Sequence, residues 1–321
     1  MRTPIRTILV AVADPARTGQ PAVDRAAQLA GALGARVILF HAAFDPALSG
    51  RPFFDSKRLA RSRGWFVAKQ TQRLERLAAP LTRRGLDVDA IVHWEEPAHE
   101  SILRAVVREQ ADLVIAACHD PSRDRPPQLR WTDWELMRLC SRPLLLMTRA
   151  SGVRRRGPVL AALDPTHAHD KPASLDIAIA RYACALAAAL ETDCQALHCL
   201  QAASRQNGGT SAGRPRSSRQ QMQSKLRRVL EASGSRSARV HLQTGSVAER
   251  VVALADDLDA QVLAMGIVSR RGLKRLLIGD SAEAVIRRVA CDLLLVKPKG
   301  FRLRLGRSRK EPISLPAQLV R

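Results

Sequence analysis

The sequence predicts an α/β protein built as two tandem, doubly wound parallel-sheet domains of Rossmann-like type. Three observations lead there. The chain has 321 residues, more than one core usually takes, since single cores stop growing near ~250 residues. It repeats itself: Ile8-Leu-Val-Ala-Val-Ala-Asp14-Pro15 returns as Val159-Leu-Ala-Ala-Leu-Asp164-Pro165, and Glu100, Ala111 to Ile115 and Leu144 to Leu146 align without gaps on Glu249, Ala260 to Ala264 and Leu293 to Leu295. Within each half, short β-rich apolar runs alternate with longer stretches of helical period, the pattern of βαβ units.

Each element follows from that pattern. In the first half the apolar run near 6–12 is a strand whose exit turn is Asp14-Pro15. A helix over 21–33 leads to a strand near 36–42 around Val37 to Phe40, a long helix over 57–84 to a strand near 87–93, and a helix over 97–110 to the Leu-Val-Ile run near 112–118. A helix over 131–140 and a strand near 143–148 close the half. The second half repeats the series, with strands near 158–163, 193–199, 238–243, 260–265 and 292–297 and helices near 172–190, 216–232, 247–257 and 281–290. The domains are expected over 1–149 and 157–299, joined by a linker rich in Arg, Ser and Gly. The stretch 204–218 reads as a flexible insertion and 300–321 as a basic, disordered tail.

Composition narrows the function classes. Hydrophobic residues make up 46% and charged residues 26% of the chain, ordinary globular values. No run reaches the ~18 apolar residues of a spanning helix, so no membrane span is expected. The six cysteines, Cys118, Cys140, Cys184, Cys194, Cys199 and Cys291, form no C-x-x-C pair. They read as free thiols of a cytoplasmic protein in a reducing compartment. The formal charge of +22 points toward anionic partners, and the basic tail could hold nucleic acid. However, 44 of the 52 basic residues are Arg, a bias that a GC-rich coding sequence also produces. Neither a Gly-x-Ser-x-Gly elbow nor a Lys-containing phosphate loop follows any strand, so catalysis is not expected.

Ligands of doubly wound sheets bind beyond the carboxyl ends of the strands. There the second half carries Met265-Gly266-Ile-Val-Ser269-Arg-Arg-Gly272, then Gly279-Asp280-Ser281 before a helical run. The glycines allow close backbone approach, and a helix N-terminus favours phosphate. At these residues the chain resembles the universal stress protein family, specifically its tandem two-domain members, over nearly all of residues 5 to 300. Nucleotide-binding members carry Gly-x2-Gly-x9-Gly-Ser/Thr after the fourth strand and an Asp after the first. The resemblance places Gly266, Ser269, Gly279 and Asp280 on that motif and Asp164 on the Asp. Two of the four motif positions depart. Met265 would flank the base, Gly272 keeps the loop permissive, and Ser281 could supply the hydroxyl one position late.

The resemblance implies a stress-resistance role through binding a ligand or a protein, with ATP as the candidate ligand of a degraded pocket in the second domain. The alternatives are a scaffold that binds no nucleotide and a basic nucleic-acid-associated protein. Asp280 and Glu283 have the spacing of a capping box, so the carboxylate is expected to cap its helix. It also competes with phosphate for the same N–H donors. The first half has no glycine between Gly85 and Gly152, so its loop is not expected to cradle phosphate, and Asp14 is expected to shape a turn. Thr132-Asp133-Trp134 resembles tandem members with a non-binding first domain. Because family members pair single domains through their last strands, a pseudo-dimer within one chain is expected.

Two remaining clusters read as structure. His167 and His169 with Asp164 and Asp170 are taken as an exposed loop, and no metal site is expected. Glu95, Glu96 and Glu100 gather at a helix start, where negative charge is favoured. His41 and His198 stand near the ends of equivalent strands, and their recurrence argues for structure over catalysis.

Overall fold

The structure, a computed structural model, describes residues 5–49, 56–118, 129–148, 156–166, 172–200, 215–235, 238–267 and 278–301. These fall into two compact units. The first contains β1 (Thr7–Ala11), α1 (Pro21–Leu33), β2 (Arg36–Ala43), a short 3-10 turn (Pro46–Leu48), α2 (Ser56–Arg83), β3 (Val88–Trp94), α3 (Ala98–Arg108), β4 (Leu113–Ala117), α4 (Trp131–Leu139) and β5 (Leu144–Met147). The second contains β6 (Val159–Ala162), α5 (Ala173–Ala189), β7 (Cys194–Leu200), α6 (Pro215–Ser233), β8 (Arg239–Thr244), α7 (Val247–Asp257), β9 (Val262–Gly266), α8 (Asp280–Ile286) and β10 (Asp292–Val296). This is the α/β fold with mostly parallel sheets that the alternating pattern predicts.

In the first unit the strand order is β3-β2-β1-β4-β5, all parallel, with Ile8 registered on both Val37 and Leu113. In the second it is β8-β7-β6-β9-β10, with Val159 registered on Cys194 and Val262. The chain steps outward from the first strand twice and then crosses it to step the other way. Right-handed crossovers therefore put the first two helices of each unit on one face and the last two on the other. Packing agrees, since α5 lies on α6, α3 on α4 and α7 on α8.

Covered on both faces, the central strands are continuous apolar runs rather than alternating ones. Val37 to Phe40 and Leu113 to Ile115 are fully buried, as are Val159 to Ala161 and Val262 to Ala264. The edge strand β8 differs, with Arg239 exposed and His241 bonded through Nε2 to Gln195 Oε1 at 2.7 Å. Polar residues of this kind blunt an open sheet edge. The helices bury single stripes: α1 covers the sheet with Ala22, Val23, Ala26, Ala27, Leu29 and Ala30.

One glycine fixes where the second unit begins. A Cβ on Gly157 would lie 2.2 Å from the Leu258 carbonyl oxygen and 2.4 Å from that of Asp259. Its own carbonyl accepts from Thr192 Oγ1 at 3.0 Å and Gln261 Nε2 at 3.1 Å. Backbone lies against backbone here, so no side chain fits. One sequence expectation changes. The last helix, expected over 281–290, ends at Ile286, where the Arg288 N–H turns to the Val285 carbonyl three residues back at 3.0 Å. The same carbonyl also accepts from the Val289 N–H at 2.9 Å, so three- and four-residue spacings mix as the helix ends. The tail expected from 300 begins with a turn, the Phe301 N–H donating to Pro298 at 3.2 Å and the Lys297 ammonium 4.9 Å from the Phe301 ring. Residues 302–321 lie outside the described residues, as do most of the linker and most of the insertion.

Burial has a titration consequence on β3. His93 is 4% exposed and meets Phe40 edge-on at 5.2 Å. Burial, assisted by the charge of Arg108, pushes its pKa down to about 4. The unfolded histidine, near 6.5, binds its proton first as pH falls, so stability is lost below that value and down toward the folded pKa. Between pH 7 and pH 5 this site should cost the first unit about 1–2 kcal/mol, at 1.36 kcal/mol per pKa unit. All four tryptophans, Trp65, Trp94, Trp131 and Trp134, lie in this half, so urea unfolding followed by tryptophan fluorescence reports on it selectively. The pH-dependent loss should shrink by that amount in His93→Gln.

Candidate functional site

In each unit the strand order reverses beside its first strand, which opens a crevice beyond the carboxyl ends of the two central strands. In the second unit these are β6 and β9, with Ala162 registered on Met265. Asp164 and Gly266 therefore leave neighbouring strands side by side. Met265 is 8% exposed and belongs mainly to the core.

Asp164 is held locally. Its Oδ1 accepts from the Thr166 N–H at 3.3 Å and from Thr166 Oγ1 at 2.5 Å. Its own N–H donates to Asp176 Oδ1 on α5 at 3.1 Å. His198 Nδ1 lies 3.0 Å from the Leu163 carbonyl and 4.0 Å from Asp164 Oδ1. A carbonyl can only accept, so Nδ1 carries the proton and the ring ties β7 to the exit of β6. The first unit repeats the device, with His41 Nδ1 2.8 Å from the Val12 carbonyl. Both histidines are tied into the fold in this way. Asp14 Oδ1 accepts from the Ala16 N–H at 2.8 Å, an Asx turn.

The loop glycines have unlike reasons to exist. A Cβ on Gly266 would stand 3.0 Å from Leu175 Cδ2 and 3.1 Å from Ile179 Cδ1. These side chains are 1% and 2% exposed, so Gly266 is accounted for by the close passage of α5 over β9. Gly279 has φ −64° and, among the described residues, nothing within 4 Å of where a Cβ would be. Neither its backbone angles nor packing against the described residues asks for glycine there. Ser269 and Gly272 lie outside the described residues with the rest of 268–277, as do His167, His169 and Asp170.

The capping-box expectation is corrected. Gly279 is the N-cap of α8, without a side-chain cap, and Asp280 is the first helical residue. The third helical position is thus Ala282, so the frame is one residue out and Glu283 cannot close a box. Glu283 instead pairs with Arg287 at 2.8 Å. The aligned helix α4 does satisfy its start, Asp133 Oδ2 accepting from the Arg130 N–H at 2.8 Å. Burial raises the pKa of Asp133 against that bond. Asp280 and Ser281 are both exposed. Of the other carboxylates, Glu95 and Glu100 both pair with Arg104.

Asp176 escaped the sequence reading. It is 2% exposed and sits on the stripe of Ile179, Ala180 and Ala183 that faces the core. A carboxylate inside an apolar stripe is the signal that marks it, because a buried polar group needs a designated partner. Also unforeseen is a cavity of about 530 Å³ in the first unit, beyond the ends of β1, β2 and β3. A cavity of about 450 Å³ in the second unit lies between α6 and β8, away from the predicted site residues. Among the described residues no three His, Cys, Asp or Glu side chains gather as metal ligands, and no helix is long and apolar enough to cross a membrane.

Comparison with known proteins adds the following. The model of the universal stress protein family matches residues 4–147 and again 158–297. Universal stress protein E of Escherichia coli K12 is 23% identical over 301 residues, covering 91% of this chain and 94% of its own. The same protein of Photorhabdus laumondii is 23% identical over 303 residues, with coverages of 91% and 95%. Among solved structures, a universal stress protein from Archaeoglobus fulgidus superimposes with a TM-score of 0.61 at 14% identity, covering 92% of this chain and 99% of that one. At that identity the likeness is one of fold.

The two described loop glycines should respond differently to a methyl group. Gly266→Ala should lose about 1–2 kcal/mol, overpacking exceeding the entropy gained on losing a glycine. Gly279→Ala should stay within about 0.5 kcal/mol, as at other unencumbered positions. Urea unfolding followed by far-UV circular dichroism measures both.

Proposed function

The chain belongs to the universal stress protein family through both of its halves, and on that premise we propose that it serves stress resistance in the cytoplasm by holding a ligand or a protein, without turnover. Its second domain is the one addressed to an adenine nucleotide, ATP being the candidate. Gly279 carries this reading. A glycine that neither its dihedral angle nor packing against the described residues requires, at the start of a helix, is accounted for by a ligand whose phosphates approach the backbone. The neighbouring carboxyl ends of β6 and β9 support the reading, because the family resemblance assigns the base and ribose contacts to Asp164 and Met265 there.

The scaffold reading, with no nucleotide, draws support from Asp280. An exposed carboxylate on the first residue of α8 competes with phosphate for the helix N–H groups. The two readings separate by calorimetry with ATP. The wild type should bind weakly. Asp280→Ser combined with Ser269→Gly should tighten binding by about 1–2 kcal/mol, the upper scale of charge effects at helix ends, and Gly279→Trp should abolish it. Absence of binding in the double variant would favour the scaffold.

A further inference from the structure

The cavity of about 530 Å³ in the first unit has the size of a small-molecule site. It lies in the half whose loop lacks glycines, and its chemistry differs from that of an anion site. In a chain of formal charge +22, its described lining includes Asp14, Glu95 and Glu96 and neither Lys nor Arg. Glu95 is neutralised by Arg104. Asp14 uses only Oδ1 in its turn, and Glu96 is exposed. At physiological ionic strength charges beyond about 8 Å are largely screened, so the carboxylates in the lining weigh more there than the distant part of the net charge.

A buried acceptor in the same wall extends this. His41 is 8% exposed and lines the cavity. Its Nδ1 proton is committed to the Val12 carbonyl at 2.8 Å, which leaves the lone pair on Nε2. No other hydrogen bond reaches this ring among the described residues. Burial lowers its pKa, which keeps the ring neutral and Nε2 an acceptor near pH 7.

The remaining wall is aromatic and braced. Phe44 and Phe66 line the cavity and pack on Trp94 at 5.4 and 5.7 Å. Trp94 is in turn backed by the Arg63 guanidinium at 5.5 Å. Trp131, 62% exposed on the first turn of α4, adds a further indole face to the lining. Such rings favour a cation over their faces, and Phe44 and Phe66, held beforehand against Trp94, lose little entropy on binding.

Acceptors, carboxylates without an ion pair among the described residues, and aromatic rings share one complement. We propose that this cavity is a binding site for a small organic amine, a cation with N–H donors on a flat apolar body. The ammonium lies against Asp14 and Glu96 with an N–H directed to His41 Nε2, and the body lies on the aromatic wall.

The test uses the full chain and two probes of like shape and opposite charge, tryptamine and indole-3-acetate, by calorimetry. Tryptamine should bind at least tenfold more tightly than indole-3-acetate. Asp14→Asn with Glu96→Gln removes both charges while Asn keeps the Asx turn, and it should weaken tryptamine at least tenfold. Gly279→Trp, in the other unit, should leave tryptamine binding unchanged, which separates this site from the nucleotide reading. Equal affinity for the two probes, no tryptamine binding at millimolar concentration, or undiminished binding by the charge-neutral variant would each overturn the proposal.

Discussion

A parallel sheet covered by helices on both faces has only its strand ends available for chemistry, and everything else in this molecule follows from that restriction. The central strands present fully buried side chains to either layer, and a polar group there would be left without water. Polar side chains therefore collect where the chain leaves the sheet. Right-handed crossovers and the reversal of strand order then leave one crevice per unit at those ends. Each unit braces it with the same bond, a buried histidine on its second strand donating to a carbonyl at the exit of its first, Val12 in one and Leu163 in the other.

On this shared frame the two crevices have diverged. In the second unit Asp176 replaces solvent as the partner of the Asp164 N–H, and Gly266 lets α5 pass close over β9. In the first unit the residue aligned on Gly266 is Ala117, half-buried at the end of β4. Aromatic side chains from the loop after β2 and from α2 and α4 line the opening there instead. A fold stabilised by its strands tolerates such changes at the ends, since substitutions in loops leave the core untouched.

The boundaries of nearly every element could be read from the residues because hydrophobic periodicity is a local property, repeated once per turn or per pleat. Where the reading went astray, the missing information was not local. Asp280 and Glu283 have capping-box spacing, but the box depends on which residue first takes helical angles, and the helix begins one residue earlier than that spacing requires. Nor does any local pattern show that Leu175 and Ile179 lie against Gly266. Those two side chains come from α5, some ninety residues earlier in the sequence.

By itself, then, the sequence determined that there are two units, the kind and order of their elements, and the family motif with its two departures, all properties of neighbouring residues or of the internal repeat. Tertiary structure alone decided which polar groups surround open space. Asp14, His41, Phe66, Glu96 and Trp131 line one cavity although they come from five separate segments. No pattern along the chain encodes that meeting, because it depends on strand order, on the tautomer imposed by a carbonyl bond and on which carboxylates a neighbouring arginine has already claimed.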